Sequence, residues 1–249
     1  MAILGLQGLR GGTGTTSLTA ALGWALQMLG ESVIVMDACP DNMLRFFFND
    51  DIAHRDGWAR ALLDNKEWRD TGMGYTSQLD FLPFGQLSVT ERVNIPLLSP
   101  LNQAAEIVRT LQKQRPHQWL LIDLPHEVTP WTPPLVEACQ HVLTIVNPDA
   151  NAHIRLHQQA LPKHGHILIN DLRIGSHIQD DLYRIWLQSQ PRMLPVVVHR
   201  DEAIAECLAA KQPLGEYRSD ALAAEEVVTL ANWCLMHYAG MHAGVEQTT

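Results

Sequence analysis

The run Gly8-Leu9-Arg10-Gly11-Gly12-Thr13-Gly14-Thr15-Thr16-Ser17 constrains the fold more than any other part of the chain. It follows an apolar strand candidate, Ala2–Gln7, and leads into a helical pattern, Thr16–Leu29. A strand, a glycine-rich turn and a helix in direct succession gather backbone N–H groups at the positive end of a helix, where an anion is held. That context lets the run be read as a phosphate-binding loop. Against the pattern G-x-x-x-x-G-K-[ST], Thr15 stands in the lysine position, and Thr16 is placed to offer its hydroxyl to Mg²⁺. A glycine-rich turn that holds no ligand is the competing reading of the loop taken alone.

The rest of the chain repeats the strand-then-helix rhythm. Further strands are expected at Ser32–Asp37, Leu79–Pro83, Trp119–Asp123, His141–Val146, His166–Asn170 and Leu194–Val198. Several are apolar throughout, as in a parallel sheet covered on both faces. Helices are expected at Leu101–Gln114, Ala150–Leu161, Ile178–Gln190, Glu202–Ala210 and Ala221–Ala239. The alternation predicts an α/β fold, a single doubly wound domain over residues 1–249 with a mostly parallel sheet. Phe84–Pro100 reads as an irregular surface connection, placed where a partner could meet it. A C-terminal amphipathic helix is expected over about 221–240, with Val227, Leu230, Ala231, Cys234, Tyr238 and Met241 on its apolar side.

Charge and composition exclude several classes. With 18 Lys+Arg against 27 Asp+Glu the chain lacks the basic footprint of a nucleic-acid binder. No apolar run is long enough to span a bilayer. The start runs directly into a strand and the glycine loop, which argues against a signal peptide. Cys39, Cys139, Cys207 and Cys234 are far apart, a pattern of reduced thiols in a cytoplasmic protein. His153 and His157 share a helix face at the spacing of paired metal ligands, but no third ligand lies near, and a solvated face is the expectation. Trp58, Trp68 and Trp131 fall close to the loops discussed next, where they are either core residues or part of a protein-binding surface.

Several segments resemble, in order, the MinD/ParA family of deviant Walker-A ATPases. Arg10-Gly11-Gly12-Thr13-Gly14-Thr15-Thr16 is similar to K-G-G-x-G-K-[ST]; Asp37-Ala38-Cys39-Pro40-Asp41-Asn42 to the switch I pattern D-x-D-P-Q-x-N; Trp119–Pro125 to the switch II pattern ending in D-x-P-P. Val142–Asp149, Ile167–Asn170, Val197–Ile204 and Lys211–Leu214 resemble later family segments. The resemblance implies a P-loop NTPase fold, ATP and Mg²⁺ as cofactors, and a sandwich homodimer closed through the nucleotide face. It implies that Gly11, Gly12, Thr13, Gly14, Thr15, Thr16 and Ser17 bind phosphates, and that Thr16 and Asp123 hold the metal. Asn170 and the stretch His199, Arg200, Asp201 would face the base, and Asp37 is the candidate catalytic carboxylate. The pairing of R-G-G-T-G-T-T with D-A-C-P-D-N is similar to a branch found in bacterial cellulose synthase operons. That implies an accessory role in cellulose biosynthesis, in the cytoplasm or at the inner-membrane face through other proteins of the secretion complex. It implies neither nucleic-acid binding nor direct membrane insertion.

Two departures from the family pattern bear on chemistry. The family's own-subunit lysine is replaced by Thr15, while Arg10 keeps a cation where the family reaches across the dimer. A charge-assisted hydrogen bond contributes ~1.5–3 kcal/mol, so its loss costs roughly 10- to 100-fold in affinity. At switch I the second carboxylate of D-x-D is Cys39, and a thiol does not hold or activate water as a carboxylate does. The expectation is ATP held at a dimer interface by Arg10 in trans, with slow or absent hydrolysis. An active ATPase switch and a nucleotide-free adaptor that kept the fold are the alternatives.

Overall fold

The computed structural model describes residues 1–114 and 117–239. Met241, assigned from sequence to the apolar side of the last helix, and the chain beyond Ala239 lie outside the described residues. In chain order the regular elements are β1 (Ala2–Gly8), α1 (Thr15–Met28), β2 (Val33–Asp37), α2 (Trp58–Leu63), β3 (Met73–Gly74), β4 (Leu79–Leu82), α3 (Val89–Val93) and α4 (Ala104–Gln114). They continue with β5 (Trp119–Leu124), α5 (Thr132–Ala138), β6 (His141–Val146), α6 (Ala150–Gln158), β7 (Gly165–Leu172), α7 (His177–Ser189) and β8 (Met193–His199). The chain then forms α8 (Ala203–Ala209), α9 (Leu214–Tyr217) and α10 (Leu222–Tyr238).

The strands form one 8-stranded sheet in the order β3-β4-β2-β5-β1-β6-β7-β8. Every pairing is parallel except that of the short edge strand β3 with β4. Side chains alternate across a strand, so β1 sends Leu4 and Leu6 into one apolar layer and Ile3 into the other. The first layer lies under α1, α8 and α10; the second lies under α2, α4 and α5. A third cluster joins Val146, Ile167 and Ile169 to Leu182 and Trp186 of α7. Helices thus cover both faces, which confirms the doubly wound α/β reading. The central strand β1 ends in the glycine loop, between the ends of β5 and β6. Ligands of open α/β sheets bind beyond such strand ends, where the chain order changes direction.

Some expected bounds were wrong for local reasons. The α6 helix stops at Gln158, not Leu161, because Pro162 disfavours helical backbone in the residue before it and the chain turns extended at Gln159. Leu101 belongs to a 3-10 turn, Ser99–Gln103, opened by Pro100, and α4 begins only at Ala104. Phe84–Pro100 is not wholly irregular. Ser88 and Glu91 cap each other's backbone N–H groups and start α3 there. The helices α2, α5 and α9 were not expected at all. On α10, the buried residues include Val227, Leu230, Ala231, Cys234 and Tyr238, and this side lies in the same layer as α1 and β8. No described helix is long and apolar enough to cross a membrane.

Candidate functional site

The glycine loop is shaped by backbone conformations that only some residues adopt. Gly14 takes φ 83°, and a Cβ there would lie 2.6 Å from Asn170 Nδ2. The constraint is both conformational and steric, so position 14 must be glycine. Asn170, at the end of β7, donates from Nδ2 to Thr13 O at 2.8 Å and ties the loop to the sheet. The first turn of α1 carries no acidic residue, which leaves its positive end uncompensated.

Two cavities meet at this loop and share Gly12, Thr13, Gly14 and Ser17. The first, about 400 Å³, runs toward Asn147, Asn170, Asp171, Arg200, Asp201 and the start of α8. The second, about 280 Å³, is walled by Arg10, Gly11, Thr15, Thr16, Cys39, Asp41, Asp123 and His126. The loop residues singled out from sequence therefore all line one or both cavities, and Asn170, Arg200 and Asp201 stand in the first.

Three buried acceptors around the cavities have no partner: Asp123 Oδ2, Asn147 Oδ1 and Asn170 Oδ1. An unpaired buried polar atom costs about 1–3 kcal/mol, so each calls for a ligand. A carboxylate oxygen beside the Thr16 hydroxyl suits a divalent cation. Amide oxygens above the loop suit a group with N–H donors. Burial pushes the Asp123 carboxyl up to about 7, against the lowering effect of the Thr16 hydrogen bond. The site therefore fits a metal-bound anion with a nitrogen-rich body, and in the metal's absence it stores an electrostatic cost.

Other expected site residues are placed differently. Asp37, the candidate catalytic carboxylate, is fully buried and does not line either cavity. Its two oxygens accept from the backbone N–H groups of Cys39 at 2.9 Å and Leu44 at 3.1 Å, so it holds the switch I turn. Burial first, and the neighbouring Asp123 second, push its carboxyl well above the usual range. Cys39 does face the second cavity, and burial followed by the charge of Asp37 pushes its thiol up, so it stays neutral. His199 is absent from the cavity walls. Its backbone N–H and its Nδ1 both pair with Glu226 of α10. Asp201 lines the cavity, but its oxygens accept from Ala203 N at 3.0 Å and Ala223 N at 3.2 Å. Thr15 Oγ1 lies 3.1 Å from Thr13 Oγ1 within the loop. Arg10 Nη2 donates to Asp149 Oδ2 of its own chain at 2.6 Å, and Nη1 to Gly11 O at 3.0 Å.

Of the tryptophans near the switches, Trp58 and Trp131 are core residues, and Trp68 is half-buried against the second apolar layer. Trp58 and Trp131 are fully buried, and their indole N–H groups donate to Asp37 O at 2.7 Å and Ala38 O at 3.0 Å. They fix the carbonyls that flank the switch I turn. His153 is not simply solvated: its Nδ1 accepts from Trp186 Nε1 at 3.0 Å. Sequence reasoning missed Asn147, Asp171 and His126 as wall residues. Only the position of Asn147, directly after β6, offered a signal.

Comparison with known proteins agrees with this geometry. Residues 1–235 match a family model described as cellulose biosynthesis protein BcsQ. The chain is 62% identical over 246 residues to the cellulose biosynthesis protein BcsQ of Escherichia coli K12, covering 98% of each. It is 64% identical over 241 residues to BcsQ of Salmonella typhimurium LT2, covering 96% of each. Among solved structures, it resembles the septum site-determining protein MinD from Pyrococcus horikoshii, complexed with Mg-ADP. The TM-score is 0.72 at 18% identity, over 93% of this chain and 95% of that one. At that identity the likeness speaks for the fold.

Proposed function

This chain belongs to the BcsQ family of cellulose biosynthesis proteins, and from that premise we propose that it is an ATP-binding dimeric switch or scaffold with little turnover. It serves the cellulose synthase and secretion machinery on the cytoplasmic side of the inner membrane, through protein partners. The observation that carries the reading is the set of unpaired buried acceptors, Asp123 Oδ2, Asn147 Oδ1 and Asn170 Oδ1, arranged around one glycine loop. When bound, Mg-ATP supplies a divalent cation and a cleavable terminal phosphate.

In this reading the backbone N–H groups of Gly11–Gly14 bind the phosphates. The Thr16 hydroxyl and Asp123 hold the metal, and Asn147 and Asn170 accept from the base. Arg10 leaves Asp149 to reach the partner subunit's nucleotide, where its planar fork engages phosphate oxygens. Asp37 is a positioning residue whose acceptors are spent on switch I. A neutral Cys39 thiol where a water-activating carboxylate would serve leaves the attacking water unassisted, so turnover is slow.

The test is the nucleotide released when freshly purified protein is denatured and run on an ion-exchange column. ATP at close to one per chain is the expected result. ADP in its place indicates an active ATPase switch, and no nucleotide indicates an adaptor that kept only the fold. Either outcome overturns the proposal.

A further inference from the structure

The phosphate cavity has few sources of positive charge. Among its described wall residues only Arg10 and His126 can carry one, against Asp41 and Asp123. Arg10 is neutralised within its own chain by Asp149 at 2.6 Å. The position that held lysine in the loop pattern carries Thr15, whose hydroxyl is turned onto Thr13. Among the described wall residues, His126 is thus the remaining own-chain group able to offer a phosphate a positive charge.

Its placement is defined by the backbone around it. Pro125 O, just before it, accepts from Gln7 Nε2 at 2.9 Å, which ties the turn to β1. The imidazole lies over the first glycine of the loop's pair: a Cβ at Gly11 would sit 3.2 Å from His126 Cε1 and 3.3 Å from Nε2. Glycine at position 11 gives the ring room against the loop backbone. The side chain is 42% exposed, so a ligand in the cavity can reach it. The groups that face it are few. Glu127 Oε1 lies 3.7 Å from Nε2 and is itself largely exposed, and Arg10, Cys39, Asp41 and Asp123 share its cavity.

We propose that His126 is a phosphate-binding residue that replaces the missing lysine within the subunit, and that it makes nucleotide affinity depend on pH. This rests on the nucleotide-binding reading above. An anion in the loop favours the protonated ring, and by linkage the protonated ring favours the anion. The sign is unusual, since ionisation of the phosphate itself would strengthen binding as pH rises. Here affinity falls as pH rises through the histidine range.

The experiment measures binding of a non-hydrolysable Mg-ATP analogue by calorimetry at about pH 6 and about pH 8, either side of the ~6.5 reference value for histidine. Nucleotide-stripped wild type, His126→Ala and His126→Arg are compared, with melting temperature as the folding control. Wild type is expected to bind roughly 10-fold more weakly at the higher pH, a difference of ~1.4 kcal/mol. His126→Ala is expected to bind weakly and His126→Arg tightly, and neither loses affinity as pH rises, since ionisation of Asp123, raised by burial to about 7, can only strengthen metal binding over that range. A flat wild-type profile with His126→Ala binding as wild type overturns the role of His126 and leaves the nucleotide site standing. Wild type that binds no nucleotide at either pH overturns the nucleotide-binding reading, and the role of His126 with it.

Discussion

The two cavities share one glycine loop, yet they differ in what their walls leave open. The base-side cavity keeps two unpaired amide acceptors, Asn147 and Asn170. The phosphate-side cavity has Thr15 bonded to Thr13 and Cys39 as a neutral thiol, while Asp37 lies outside it, buried with both oxygens taken. Trp58 and Trp131 hold the switch I carbonyls from beneath. One side keeps acceptors open for a ligand and the other has few groups that would break it, and this contrast is what the proposed separation of binding from turnover rests on. Under the proposed function the nucleotide acts as a structural part, as a ligand stabilises any state that alone binds it.

The sharpest way to break the comparison is to damage the loop both cavities share. Gly14→Ala places a methyl group in left-handed backbone and within 2.6 Å of Asn170 Nδ2. Either strain or loss of the Asn170 to Thr13 bond follows, at a cost of about 1–3 kcal/mol. Nucleotide affinity should fall by about 100-fold or more, equivalent to ~2.7 kcal/mol or more, in calorimetric titration. Affinity close to wild type would mean that the loop does not hold the ligand.

Asp123→Asn separates metal holding from folding. The variant should lose the magnesium dependence of nucleotide binding. Without metal or nucleotide it should melt higher than wild type, by about 2–4 °C per kcal/mol relieved in a chain of this size. The sign follows from the carboxyl's position, raised by burial to about 7 in the folded state and near 3.9 when unfolded. Wild type therefore loses stability relative to the variant as pH rises from about 4 to about 7, and the gap is constant above that. Thermal melts across pH in the presence of a chelator check this. A variant that melts lower at neutral pH would show that Asp123 is satisfied by groups other than a metal.

Asn170→Ala tests the base side with a smaller effect. It removes the 2.8 Å brace to Thr13 O and one base acceptor together. Affinity for the Mg-ATP analogue should drop about 10-fold, the scale of one ~1.4 kcal/mol interaction, while binding of inorganic triphosphate should fall less. Equal losses for both ligands would place Asn170 in loop support alone.

These residues also show what a sequence can and cannot disclose. The strands β1, β2, β5, β6 and β7 were readable because a sheet covered on both faces needs unbroken apolar runs. The loop and Asp123 were readable because strand-end motifs are local. The short helices α2 and α5 were hidden: one lies in a polar stretch, and the other opens on Thr132-Pro133-Pro134, where the prolines read as a loop although they suit a first helical turn. The indoles of Trp58 and Trp131 reach switch I from 21 and 93 residues away, and no local pattern encodes such a contact. His126 and Asn147 likewise gain their meaning only when β5 and β6 end beside the glycine loop. Asp37 has the spacing of a catalytic carboxylate, while its hydrogen bonds, visible only in the fold, tie both oxygens to the backbone of switch I.

The smallest effect expected on the isolated chain, and the one that bears on assembly, comes from Arg10. Its pair with Asp149 is 29% and 39% exposed at the two side chains, so it contributes at most about 1 kcal/mol. Arg10→Ala should shift the melting temperature of the ligand-free protein by no more than about 4 °C. If Arg10 serves the partner's nucleotide, the same variant loses bound nucleotide about 10-fold faster, but only at concentrations where wild type is dimeric. Asp149→Asn gives the opposite sign. Asparagine still caps α6, whose Ala152 N–H now bonds Asp149 at 2.8 Å, but it no longer holds the Arg10 charge. That variant should retain nucleotide more tightly than wild type, because the cation no longer has to leave a carboxylate to cross the interface. Sedimentation and nucleotide release measured on the same samples read both effects. If neither substitution changes retention at any concentration, Arg10 is a brace between the loop and α6, and the charge that replaces the missing lysine lies wholly within the subunit.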